Sequence, residues 1–163
     1  ILILVERNKQ SRKNGDIKTQ KKILAFYLKN RAGVNNWDLV DISVHYILGQ
    51  AILDSLQLKQ ILYKYAKSDK LWERRMSIIA TWIFIRGGDL DDCLKLSKIL
   101  LKDKEDLMHK AVGWMLREAW KKDSSRVEEF LEKNYSTIPR TTLRYAIERM
   151  AETKRKKFLK GKF

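Results

Sequence analysis

The stretch Asn35-Asn36-Trp37-Asp38-Leu39-Val40-Asp41 puts a large ring and a carboxylate one helical turn apart. Asn35 can cap a helix and Asp38, three residues on, can close a capping box, so a helix is expected from Trp37. Trp37 and Asp41 then share one face of it. An acid placed beyond a ring inside a helix, rather than at its cap, suits a catalytic pair. It equally suits a core ring beside a surface acid paired with a lysine, and the stretch alone leaves both open. His45 falls one step further along the same line and reads as a hydrogen-bonded structural residue.

A second row lies between Glu105 and Trp120. Leu107, Met108, Ala111, Val112, Met115, Leu116 and Ala119 make a core stripe, and Lys110, Trp114, Arg117 and Lys121 fall off it at i, i+4, i+7 and i+11. A basic row holding a Trp suits a phosphate backbone with the ring laid against a sugar or base. The alternative is a solvated Lys/Arg face with the Trp packed on a neighbouring helix pair. Arg140 and Arg144, spaced i,i+4 beside Tyr145, form a further basic face. Arg75 sits on the apolar line of Leu71, Ile78 and Trp82, so it must snorkel or meet a partner. With one cysteine, Cys93, and two histidines, His45 and His109, no metal cluster and no disulfide framework is expected.

Apolar residues recur at helical spacing throughout, with no strand-like alternation. One Pro and seven Gly are too few for a loop-rich β protein. The expected helices run to Arg12, then 17–29, 37–48, 56–66, 71–85, 90–101, 105–120, from an Asp123 or Ser124 cap to 133, and from Pro139 at a first turn to 150. They pair, and the second helices start near 37, 71, 106 and 139, at intervals of 34, 35 and 33 residues. Such spacing predicts an all-α fold, an α-solenoid of HEAT-like antiparallel helix pairs whose second helices line a concave basic face. The tetratricopeptide signature of Trp, Leu-Gly, Tyr and Ala-x3-Phe does not recur. An irregular helical bundle is the competing architecture. The 71–85 helix, apolar nearly all round from Met76, is expected to be central and buried.

The chain of 163 residues carries a net charge of +15 with a pI near 9.9. The stretch Thr153–Phe163 holds +6 of that charge and no acid, which leaves +9 for the body. Nucleic acid is therefore the first partner to consider and an anionic membrane surface the second. No apolar run reaches the ~18 residues of a membrane span, and the opening Ile1-Leu2-Ile3-Leu4-Val5 is too short for a signal peptide. The expected organisation is one HEAT-like domain over residues 1–152, lacking an N-terminal part, followed by a basic tail over 153–163.

The block around Trp37 and Asp41, the block Trp72-Glu73-Arg74-Arg75, and the block Lys110-Ala111-Val112-Gly113-Trp114-Met115-Leu116-Arg117-Glu118, in that order, resemble the DNA alkylation repair family of HEAT-like-repeat glycosylases, the AlkD type. The likeness continues through Pro139-Arg140-Thr141-Thr142-Leu143-Arg144-Tyr145-Ala146. It implies excision of cationic alkylated bases, chiefly purines alkylated at N3 or N7, from duplex DNA, with the damaged base left in the stack. It further implies that Asp41 is the catalytic carboxylate and that Trp37 and Trp114 flank the lesion's deoxyribose. Arg75 and Arg117 are implied to hold the DNA backbone, and Lys110, Lys121, Arg140 and Arg144 are expected on the same DNA-binding surface.

This chemistry agrees with a site that has one acid. Glycoside cleavage ordinarily takes two carboxylates, one of which protonates the leaving group. An N3- or N7-alkylated purine already carries the positive charge and leaves neutral, so one carboxylate facing the oxocarbenium-like sugar suffices. Trp faces add a cation–π attraction of roughly 0.5–2 kcal/mol each. No cofactor or metal is needed, and an uncharged lesion should be a poor substrate. Alkylated duplex DNA is the expected partner of a monomer that works in the cytoplasm, at the nucleoid in a prokaryote. Two alternatives are a non-catalytic HEAT-like protein that binds bent or damaged duplex, and a helical protein-interaction scaffold.

Overall fold

The computed structural model describes all 163 residues, and every regular element is helical. The chain divides into two compact units, residues 1–83 and 84–163. In the first, α1 (Leu2–Lys13) packs on α2 (Ile17–Lys29), and α3 (Trp37–Val44) runs through a π-helical turn, His45–Gly49, into α4 (Gln50–Asp54). A 3-10 turn, Leu56–Leu58, leads into α5 (Lys59–Ala66), which packs on α6 (Leu71–Ile79). α7 (Trp82–Arg86) runs across the boundary between the units. The second unit holds α8 (Asp91–Leu100), α9 (Asp106–Trp120), α10 (Ser124–Lys133), α11 (Arg140–Ala146) and α12 (Glu152–Lys160).

Amphipathic spacing builds both cores. Val40, Val44, Ile47, Leu48, Ile52, Leu62 and Ile78 are buried in the first unit, and Met108, Val112, Leu116, Leu131, Leu143 and Ile147 in the second. Within each unit consecutive second helices pack side by side, α3 on α6 and α9 on α11. The second contact is close because Gly113 has no side chain. A Cβ there would stand 2.5 Å from the Tyr145 Cβ and 2.7 Å from the Thr142 carbonyl oxygen.

Several boundaries differ from the sequence expectation. Asn36, not Asn35, caps α3: its side chain accepts from the Leu39 amide at 2.9 Å, and its own backbone is extended. The 37–48 helix does not stop at Leu48 but continues through the π turn to Asp54. A π turn closes i→i+5 bonds and leaves backbone groups to find other partners. The Tyr46 carbonyl accepts from the Asn8 side chain of α1 at 2.7 Å. The expected 71–85 helix breaks at Ala80–Thr81. There Thr81 bonds back to the Ile78 carbonyl with both its amide and its hydroxyl, a competition that Thr side chains offer inside helices. The last expected helix ends at Ala146 rather than Met150, and Glu152–Lys160, which takes in most of the expected 153–163 tail, forms α12.

Candidate functional site

Asp38 and Asp41 part company as soon as α3 forms. Asp38 lies exposed in the first turn, where it complements the helix dipole. Asp41 points to α6 and meets Arg75, one repeat length away in sequence. The Arg75 Nε donates to Oδ1 at 2.8 Å and an Nη to Oδ2 at 2.7 Å. This is the bidentate fork that a guanidinium makes with a carboxylate. Arg75 is only 5% exposed, so the structure gives it a partner inside the unit. The Asp41 side chain keeps 14% of its surface open to solvent.

One turn before Asp41, the Trp37 ring is 53% exposed. A core role for this ring is therefore excluded, and an open aromatic face lies one turn from a partly open carboxylate. One turn after Asp41, His45 is buried, stacked edge-on to Trp82 with ring centroids 4.5 Å apart. Ser43, also buried, meets the Tyr27 hydroxyl at 2.9 Å, and burial pushes that phenol well above its ordinary value. The floor under α3 is thus dry and hydrogen-bonded.

A second network fixes the start of α6. Glu73 accepts from the Arg31 Nε at 2.8 Å and from the Ser68 hydroxyl at 2.6 Å. Burial pushes the Glu73 carboxyl up, but these donors outweigh it and its pKa falls below the ordinary value. Arg74 donates to the Ser68 and Asp69 carbonyls at 3.0 Å each. The turn before α6 is therefore held from both sides, and with it the position of Arg75.

In the second unit, α9 carries the row expected from its spacing, and the structure adds acids to it. Lys110 pairs with Asp106 at 2.7 Å and Lys121 with Glu118 at 2.8 Å, while Arg117 pairs with Glu148 and lies 3.6 Å from Glu118. Trp114 is half-buried in this row. Arg140 and Arg144 are exposed on α11. Trp120 ends α9 with its indole N–H donating to Glu128 of α10 at 2.9 Å.

The Asp41–Arg75 contact was only half visible in sequence. The phase of Arg75 demanded a partner, and the separation of one repeat length between two second helices was the signal that could have named it. Glu148 could not be named as the partner of Arg117 because it lies 31 residues away, whereas Asp106 and Glu118 stand one helical turn from Lys110 and Lys121 and were legible from spacing.

No group of three or more His, Cys, Asp or Glu side chains is arranged to hold a metal ion, and no helix is long and apolar enough to cross a membrane. No curated protein matches the chain. The family model described as DNA alkylation repair enzyme matches residues 1–150, an ordered likeness that takes in Trp37, Asp41, Arg75 and the whole of α9, and the chain belongs to that family.

Proposed function

We propose that the protein is a DNA glycosylase of the AlkD type, hydrolysing the N-glycosidic bond of purines alkylated at N3 or N7 in duplex DNA. The observation that carries this reading is Asp41, clasped by Arg75 with part of its carboxylate still open, one turn from the exposed Trp37 ring. The α3–α6 and α9–α11 packing and the repeat spacing support HEAT-like pairs as the scaffold.

In this mechanism the glycosidic bond breaks with its electron pair going to the purine, which leaves neutral. The sugar is left as an oxocarbenium-like cation. The open part of the Asp41 carboxylate stabilises that cation and orients the water that adds to C1′, whose proton passes to solvent. The Trp37 face lies against the sugar and favours the same charge. The resemblance assigns a second sugar-facing ring to Trp114 of α9. Lys110, Arg117, Lys121, Arg140 and Arg144 meet backbone phosphates, which compete for them against Asp106, Glu118 and Glu148. Arg75 aims the carboxylate rather than gripping DNA, since its fork is already occupied.

The same fork also favours a second reading. Two hydrogen bonds from a buried guanidinium offset much of the Asp41 charge, as a structural clamp in a non-catalytic duplex-binding protein would. Base release separates the two. Duplex DNA holding 7-methylguanine is incubated with the protein and the freed bases are identified. Free 7-methylguanine supports the glycosylase. Binding to that duplex with no base released leaves the clamp as the better reading.

A further inference from the structure

Residues 152–163 carry six lysines and arginines against the single acid Glu152, and the structure folds most of them into a docked helix. Phe158 anchors α12 at 3% exposure. The Phe163 ring meets Tyr135 edge-on with centroids 5.1 Å apart. Gly161 ends the helix at φ 64°, where a Cβ would come within 2.7 Å of the Tyr135 ring. On the other side, Lys154 donates to both Glu128 carboxylate oxygens at 2.9 Å. The C-terminal end is held by two donors to the Leu159 carbonyl, the Tyr135 hydroxyl at 3.2 Å and a guanidinium nitrogen of Arg140 at 3.1 Å.

This docking decides where the charge goes. With Phe158 turned inward, Lys156, Lys157 and Lys160 lie away from the core, and all three are exposed, as is Arg155. The one acid that meets this face, Glu152, pairs with Lys156 where both side chains are about two-thirds exposed, so it offsets little. The Arg140 bond to the Leu159 carbonyl, next in sequence to Lys160, joins the end of α12 to α11. Within α12 the apolar side chains are Phe158, buried, and Leu159, half-buried. An interfacial membrane helix would instead show an exposed apolar face beside its lysines.

We propose that α12, joined to α11 through Arg140, is a second contact for the duplex DNA backbone, one that takes phosphates without regard to damage or sequence. It rests on duplex DNA being the partner, as argued above, and not on base release. A rigid row of lysines meets regularly spaced phosphates at little further entropic cost, whereas a loose tail must first be ordered.

The test is binding of undamaged duplex across a salt series, comparing wild type with the triple variant Lys156→Gln, Lys157→Gln, Lys160→Gln. Gln keeps helix propensity and leaves Phe158 in place. The expected result is about tenfold or weaker binding at low salt and a log–log salt slope shallower by about 2–3. Because the duplex is undamaged, this readout is separate from any failure to release bases. Superimposable curves for the two proteins overturn the proposal. So does unchanged duplex binding with lost retention on vesicles of anionic phospholipid, which would assign the face to a membrane surface.

Discussion

The Arg75 guanidinium holds both oxygens of Asp41 from the neighbouring second helix, at 2.8 and 2.7 Å. Removing either partner therefore tests a different property. Asp41→Asn keeps the shape and removes the negative charge. Single-turnover release of 7-methylguanine at saturating protein is expected to fall by about 10²–10³-fold, the cost of losing one preorganised charge-stabilising group. Release at the wild-type rate would remove Asp41 from the chemistry.

Arg75→Ala leaves a largely buried carboxylate without its fork. Stability should drop by about 3 kcal/mol, the penalty for breaking a buried pair on one side, as read from urea unfolding. Arg75→Lys supplies one point charge for a two-pronged site and should recover only part of this. If Arg75→Ala instead unfolds like wild type while its salt dependence of DNA binding flattens, Arg75 is a backbone contact after all.

Trp37→Ala separates chemistry from folding. The ring is more than half exposed, so unfolding should shift by no more than about 0.5 kcal/mol. Base release should slow by roughly 2- to 30-fold, the loss of a cation–π contribution of about 0.5–2 kcal/mol. A ring that matters only for packing would show the reverse.

Gly113→Ala probes the α9–α11 contact. The added methyl meets the Tyr145 Cβ and a backbone carbonyl, neither of which can swing away as a flexible side chain would. A loss of about 1–3 kcal/mol is expected, measured by thermal or urea unfolding. Unchanged stability would mean that α11 moves freely on α9.

Acid should loosen α12. Burial pushes the Glu128 carboxyl up, but hydrogen bonds from Lys154 and Trp120 outweigh it and set its pKa below the ordinary 4.5. A depressed carboxyl contributes stability that is whole above its unfolded value and is lost as pH falls through the folded one. The loss therefore begins below pH 4.5. The Trp120 indole N–H resonance reports it directly and should shift as Glu128 takes up its proton. The same acid shift persisting in Glu128→Gln would show that Glu128 does not hold Trp120.

The helical fold and most of the core were legible because apolar periodicity survives any tertiary detail. Val40, Val44, Ile47 and Leu48 are buried as their spacing requires. Details fixed by competition among neighbours were not legible. Two adjacent asparagines can both cap, and only the backbone at Asn36 decides between them. Thr81 reads as one more residue of a helix until its hydroxyl bonds back to Ile78. The basic row of α9 was visible in the sequence, as were Asp106 and Glu118 one turn from Lys110 and Lys121, while the pairing of Arg117 with the distant Glu148 was not.

The π turn at His45–Gly49 has a consequence for rotational phase. Each residue of an α-helix advances the side-chain direction by about 100°, so one residue of extra winding turns everything after it relative to everything before it. The α3 end faces α6 and presents Asp41 to Arg75, while the π turn faces α1 and α2. Deleting one residue inside 45–49 would restore an uninterrupted α-helix, and the two halves could then no longer both face their neighbours. The wide turn is a gearing step between two interfaces, and the aim of the carboxylate depends on it.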